Sequence, residues 1–270
     1  MRTRLTITLP DATLKRVDKL IDKKKIRNRS HAIEQLIESS LSPNITTAVI
    51  LAGGQKNETT LKPLTVLNTK PLIFYTLDLC KKHGIKNIII ATNSQGKQLE
   101  KLLKNGAAYE LTITYSYEEQ PLGTAGALKK IATSLPANQP FYVMAGDILT
   151  TLDLSEFAQF HIKNRALVTM AVKPRSSLKT YDNVFVQGHT VVDFKAPAED
   201  QVVAIVNAGI YIFEPEVLNT ISSKKLQMLE TDIFPELAAL GKINAFPFQG
   251  VWFDISSDDN YQQALITMNT

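Results

Sequence analysis

Three stretches, AVILAGG at 48–54, IKNIIIAT at 85–92 and PFYVMAGD at 140–147, are apolar at successive positions instead of alternate ones. Such a strand needs apolar cover on both faces. Strands of this kind separated by segments of helical spacing predict a parallel, doubly wound α/β sheet. Ligands of doubly wound sheets bind beyond the carboxyl ends of the strands, where Gly53, Gly54 and Asp147 fall. The later runs ALVTMAV, NVFVQ, TVVDF and AIVNAGIYIF are separated by turns and predict mixed strands that extend or cover the sheet. With 270 residues, 44% of them apolar, the chain can bury one large core and still carry a small second module.

The small module is expected at the N-terminus: residues 1–42, then a polar linker at 43–46, then the large domain at 47–270. Residues 1–43 hold ten Lys/Arg against five Asp/Glu, which leaves twenty against twenty-one for the rest of the chain. A basic end of this kind suits a nucleic-acid partner, and solvated lysines on a helix face account for it equally well. Arg2 to Leu9 alternates with period two, Leu5, Ile7 and Leu9 on one face and Arg4, Thr6 and Thr8 on the other, which predicts a half-buried strand. A helix follows from Asp11 with Leu14, Val17, Leu20 and Ile21 at helical spacing, closed by Lys23–Lys25, and a second starts near Asn28 as its cap. One strand and two helices bury too little surface to be stable alone, so a second copy is expected. No run of eighteen apolar residues and no apolar leader stretch occur, so membrane insertion and secretion are not expected and the cytoplasm is the default. Cys80, the single cysteine, reads as a core thiol.

This N-terminal stretch, with RLTITLP as its strand, resembles the ribbon-helix-helix repressors. The resemblance implies a dimer whose paired strands enter the major groove of double-stranded DNA, with Arg4, Thr6 and Thr8 facing the bases and Asn28, Arg29 and Ser30 holding the backbone. A swapped dimerisation arm that never meets DNA is the other reading.

In the large domain, paired glycines after a first strand allow close approach of backbone amides to a phosphate, but many βα turns carry them. Further on, PLGTAGAL is a second small-residue turn entering a helix. AGD puts Asp147 at a strand end, and GVWFDISSDDNYQQAL puts Asp254 between a strand and a helix. Two carboxylates at one sheet edge can share Mg²⁺ with phosphate groups; either can also be an ordinary helix cap.

AVILAGG, LKPLTVLNTKPLIFYTL, LGTAGAL, AGDILTTLDLSEFAQFH, NAGIYIFEPEVL and GVWFDISSDDNYQQAL, in this order, resemble the sugar-1-phosphate nucleotidyltransferases over residues 47 to about 265. The resemblance implies a Rossmann-like doubly wound mixed sheet and the condensation of a nucleoside triphosphate with a sugar 1-phosphate, releasing pyrophosphate. It assigns the metal to Asp147 and Asp254, the phosphates to Lys62, the nucleotide-side loop to Leu51, Ala52, Gly53 and Gly54, the base to Gln120 and Gly123, and the sugar to Asn207. Against that pattern, QKNETT follows the double glycine where the family carries an arginine. FKAP puts Lys195 in place of an acid that grips sugar hydroxyls and Ala196 in place of a phosphate-binding lysine, and Asp182 replaces a common glycine. Two expectations follow. In one, Lys56 and Lys195 supply the missing positive charge and the enzyme takes an unusual phosphorylated substrate. In the other, the domain binds a nucleotide or nucleotide sugar without turnover and its occupancy alters DNA binding.

Overall fold

The computed structural model describes residues 6–24, 26–41, 45–53, 61–175, 183–195, 204–222 and 226–268, with the backbone alone for 38–41 and 195. The chain divides into two compact units, Met1–Pro43 and Asn44–Thr270.

The first unit contains α1 (Asp11–Asp18) and α2 (Arg29–Leu41). α1 stops earlier than its apolar spacing suggests, leaving Leu20 and Ile21 beyond its end. Asp22 explains the stop: its Oδ1 accepts the backbone N–H groups of Lys24 (2.9 Å) and Ile26 (2.8 Å), a turn that competes with further helix. Asn28 caps α2 as expected, its Oδ1 accepting the N–H of His31 at 2.9 Å. The two helices pack on each other and are tied by Arg29, whose Nε and Nη2 donate to the Asp18 carboxylate at 2.6 and 2.8 Å.

The expected strand is not formed over its described part: Thr6–Leu9 has no ladder within this chain. A lone strand has no edge to pair with inside its own unit, and Ile7 is left 45% exposed. Arg4 lies outside the described residues.

The second unit is built on a nine-stranded sheet. Its strands are β1 (Thr47–Leu51), β4 (Asn87–Thr92), β5 (Thr112–Tyr117), β6 (Phe141–Ala145), β8 (Val168–Arg175), β9 (Asn183–Gln187), β10 (Thr190–Lys195), β11 (Ala204–Phe213) and β12 (Ile243–Pro247). Their spatial order is β5-β4-β1-β6-β11-β8-β12-β10-β9. The pairs β5–β4, β4–β1 and β1–β6 are parallel. β11 then runs antiparallel between β6 and β8, so the later strands extend the sheet instead of covering it. Two short ribbons complete the strand set: β2 (Val66–Leu67) with β3 (Lys70–Pro71), and β7 (Ile148–Thr150) with β13 (Trp252–Asp254). The helices are α3 (Leu72–Lys82), α4 (Lys97–Leu103), α5 (Gly123–Lys130), α6 (Leu154–Asn164), α7 (Phe234–Ala239) and α8 (Asp258–Met268).

The continuous apolar runs are explained by the two-sided burial of this sheet. Ala48 and Ile50 of β1, Ile88 and Ile90 of β4 and Tyr142 and Met144 of β6 face one core, while Val49, Ile89, Phe141 and Val143 face a second core on the opposite side. Each fully buried side chain of this size contributes roughly 1.5–3 kcal/mol, which is why polar residues are excluded from both faces. Cys80 is buried in the first core, and burial pushes its thiol up to about 12, as expected of a structural cysteine.

Two polar devices fix α6 against the sheet. Asp153 caps its start, accepting the N–H groups of Ser155 and Glu156 at 2.9 and 3.0 Å. Near its end His161, 1% exposed, places Nδ1 2.7 Å from the Thr169 hydroxyl of β8 and Nε2 3.2 Å from Glu214 Oε1. Burial drives its pKa down to about 4. The Glu214 carboxyl beside it is itself raised from its ordinary value, by burial and then by Glu216.

Candidate active site

β1 delivers its last residues to the carboxyl edge of the sheet, where a cavity of about 730 Å³ opens. Leu51 and Gly53 line it. Ala52 does not: it is 1% exposed, its N–H donates to Ala91 O (2.8 Å) and its carbonyl accepts from the Thr92 hydroxyl (3.0 Å), so it anchors the turn from behind. Gly54 and Lys56 lie outside the described residues.

The next strand over, β6, is followed by Gly146 and Asp147. A Cβ on Gly146 would sit 2.8 Å from Pro63 Cγ and 3.0 Å from Leu51 O, so only glycine allows the Lys62–Leu64 helical turn to close on the end of β1. That packing brings Lys62 to the cavity, its Nζ 3.4 Å from Ser256 O. The tail of the chain is stitched to the same place by the β7–β13 ribbon. Asp254 stands opposite Ile148, and the N–H of Ile255 donates to the carbonyl of Asp147 at 2.8 Å. Asp147 and Asp254, far apart along the chain, therefore meet on one cavity wall. Neither is a helix cap. Asp147 sits in the turn between β6 and β7, and Asp254 Oδ1 accepts the N–H of Ser256 (2.8 Å) within a turn, while Ser257 Oγ accepts from Asn260 at the start of α8.

Gly123 lines the cavity from the first position of α5. Its φ is +77° and a Cβ there would lie 2.2 Å from the carbonyl oxygen of Gln227, so no other residue fits. That carbonyl accepts the N–H groups of Ala125 and Gly126 at 3.0 and 3.2 Å and so caps the helix start. Gln120, expected at this end, is exposed and does not line the cavity; Glu118, two residues earlier, does. Asn207 lines the far end, in an irregularity of β11 between Asn207 and Tyr211. Its Nδ2 donates to Tyr211 OH (2.7 Å) and its Oδ1 accepts from Gly209 N (3.0 Å), which fixes the amide plane. Lys195 closes β10 opposite Asn183, and its side chain lies outside the described atoms.

Trp252 was not anticipated, although GVWFD marks it as the aromatic residue of an apolar strand. It lines the cavity, donates Nε1–H to Ala208 O at 2.8 Å and carries the Arg175 guanidinium over its ring at 4.7 Å. Glu230 was not anticipated either: it accepts the Thr124 hydroxyl at 2.9 Å, and Thr124 in turn accepts Leu229 N–H at 2.8 Å.

Among the described lining residues the charges are Lys62 against Glu118, Asp147, Glu230 and Asp254. Such a wall repels a triphosphate unless a cation joins it. The described residues contain no group of three or more His, Cys, Asp or Glu that could cage a metal. A pair of carboxylates lining one cavity is instead a donor set that suits Mg²⁺, which takes one or two carboxylates and draws its other oxygens from phosphate and water. Asp147 and Asp254 fit that ion.

In the N-terminal unit, Thr6, Thr8, Asn28 and Ser30 are exposed. Arg29 is exposed too, and its guanidinium pairs with the Asp18 carboxylate.

Residues 47–269 match the family model described as Nucleotidyl transferase, and residues 3–41 match Ribbon-helix-helix protein, copG family. The chain is 33% identical over 223 residues to the mannose-1-phosphate guanyltransferase of Yarrowia lipolytica, covering 79% of this chain and 61% of that protein. To the UTP–glucose-1-phosphate uridylyltransferase of Synechocystis it is 31% identical over 244 residues, covering 81% and 62%. It thus spans about three-fifths of the length of the curated relatives it matches. Among solved structures, HddC from Yersinia pseudotuberculosis, also crystallised with GMP-PN, superposes with a TM-score of 0.72 at 21% identity, over 83% of this chain and 99% of that one. At that identity the likeness speaks to the fold.

Proposed function

The chain belongs to the nucleotidyl transferase family, and from that premise we propose that its large unit transfers a nucleotidyl group from a nucleoside triphosphate to a sugar 1-phosphate. The observation that carries this reading is the convergence of Asp147 and Asp254 beside Lys62 on one cavity wall. The names of the relatives add mannose 1-phosphate with GTP, or glucose 1-phosphate with UTP, as the first pairs to try.

In the reaction, an oxygen of the sugar phosphate attacks the α-phosphorus. The new P–O bond forms as the bond to the β-phosphate bridging oxygen breaks, and pyrophosphate leaves with the electron pair. Asp147 and Asp254 would hold Mg²⁺, which when bound would supply charge neutralisation to the phosphates. Lys62 supplies a point charge to the phosphate chain, and Lys56 and Lys195 complement it in place of the absent loop arginine. Gly53 and Gly54 let the backbone approach the phosphates; Gly123 shapes the base end and Asn207 the sugar end. Purified chain with Mg²⁺ is expected to release pyrophosphate from at least one pair in a panel of triphosphates and sugar phosphates, and Asp147→Asn to abolish it. Silence across the panel defeats the catalytic reading.

The N-terminal unit, on the same proposal, binds double-stranded DNA as part of a homodimer or higher even oligomer. Paired strands present Arg4, Thr6 and Thr8 to the bases, and Asn28 and Ser30 hold the backbone. The copG family match supports it, as does apolar surface left open in the single chain, with Ile7 45%, Leu36 43% and Ile37 45% exposed. A second reading, a regulator that senses a nucleotide sugar without turning it over, is favoured by the single described lysine among four carboxylates at the site. It requires operator affinity to change when nucleotide sugar is added, and an unchanged retardation pattern removes it.

A further inference from the structure

Glu118 is unaccounted for by the roles above. It follows the last residue of β5, with its N–H donating to Thr92 O at 2.8 Å, and its side chain lines the cavity beside Pro121 and Gly123. Ala91 and Ala127 line the same region with side chains small enough to leave room for a flat ring. Two other polar side chains line the cavity nearby and are tied to each other: the Thr124 hydroxyl donates to Glu230 Oε2 at 2.9 Å and accepts Leu229 N–H at 2.8 Å. Glu118 Oε2 accepts the N–H of Leu122 at 3.0 Å, and a carboxylate has acceptor capacity well beyond one such bond. Burial holds its pKa above the ordinary carboxylate value, offset in part by that N–H and then by Lys130, so the charged form gains from additional donors.

An ionised carboxylate only accepts. Guanine offers it two neighbouring donors, N1–H and the 2-amino group. Uracil and thymine offer one N–H flanked by two carbonyl oxygens that a carboxylate repels, and adenine and cytosine set an amino group beside a ring acceptor. We propose that Glu118 is the base-selecting residue of this site and that the nucleotide it takes is a guanine nucleotide, whose N1–H and 2-amino group donate to the Glu118 carboxylate. The proposal rests on the reading of the large unit as a nucleotidyl transferase site and names the base that the reading leaves open.

The test is calorimetric titration of the full chain in Mg²⁺, without sugar phosphate, with GTP, ITP, UTP, ATP and dTTP. ITP is guanine's analogue without the 2-amino group. GTP is expected to bind at least about tenfold tighter than ITP, the scale of a lost charge-assisted donor pair. Glu118→Gln, which keeps an acceptor for Leu122, is expected to bring GTP within about twofold of ITP and to tighten UTP, whose carbonyl oxygens the carboxylate repels and the amide can donate to. Equal GTP and ITP affinity in the unaltered chain overturns the proposal without recourse to any variant, and so does a GTP preference that survives Glu118→Gln. If UTP, dTTP or ATP binds more tightly than GTP, the guanine assignment falls while the nucleotide site stands. If no triphosphate binds, the proposed function falls with it.

Discussion

Acidification offers a direct test of the buried contact between α6 and β8. His161 has a pKa of about 4 in the folded chain against an ordinary value of 6.5. Below pH 6.5 the unfolded chain takes up a proton that the folded chain refuses. Stability therefore falls as the pH drops from 6.5 towards 4 and levels off once the folded form also protonates. Between pH 7.5 and pH 4.5 these two values remove roughly 2–3 kcal/mol, a large part of the stability of an ordinary domain. Glu214 works in the opposite sense, because its raised pKa makes its burial less costly as the pH falls, so the two must be separated. His161→Gln does this: it cannot titrate, and Glu214 stays in place. Urea unfolding followed by the fluorescence of the single tryptophan, Trp252, reports the large unit alone. The stability advantage of the unaltered chain over His161→Gln is expected to shrink by roughly 2–3 kcal/mol between the two pH values. Parallel pH profiles would refute the claim that this imidazole is buried in its neutral form.

Other perturbations separate the roles within the site and the small unit. Gly123→Ala must adopt a positive φ and displace the Gln227 carbonyl, and is expected to lower stability by at least about 1–3 kcal/mol in urea unfolding and to weaken nucleotide binding. Lys62→Ala is expected to reduce pyrophosphate release by about a hundredfold or more with an unchanged urea midpoint, since the side chain is exposed and makes a single long contact with Ser256. Asn28→Ala removes the α2 cap and is expected to cost about 1 kcal/mol, read as reduced operator retention in a gel-shift series with no change in nucleotide affinity.

How far the amino-acid order announced this molecule depends on the length scale of the cause. Burial on two faces leaves a local trace, so the strands at 48–54, 85–92 and 140–147 could be read directly, and with them the edge that carries Gly53 and Asp147. The small unit's helices were legible through Asn28 as a cap, but the end of α1 turned on a side-chain bond from Asp22 that periodicity does not encode. Its expected strand forms no ladder over Thr6–Leu9, and the paired edge it is proposed to need is supplied by a second copy. At the site, Asp147, Asp254, Lys62, Gly123 and Asn207 come together. Gln120 is exposed and does not line the cavity, whereas Glu118, two residues earlier, does. Glu230 and Trp252 had no motif to mark them: they reach the cavity through contacts with Thr124 and Ala208, more than forty residues away along the chain.

The ribbon of β7 and β13 has a bearing on how such a chain matures. Its two strands are separated by roughly a hundred residues of sequence, and the nine-stranded sheet makes no use of either. Closing so long a loop for a three-residue ladder gains little until the intervening sheet has formed. The acid pair therefore depends on a segment that supplies none of the main sheet's ladders, and a chain cut ahead of Trp252 is expected to lose Mg²⁺-dependent pyrophosphate release together with the apolar contacts of Trp252, Phe253 and Ile255.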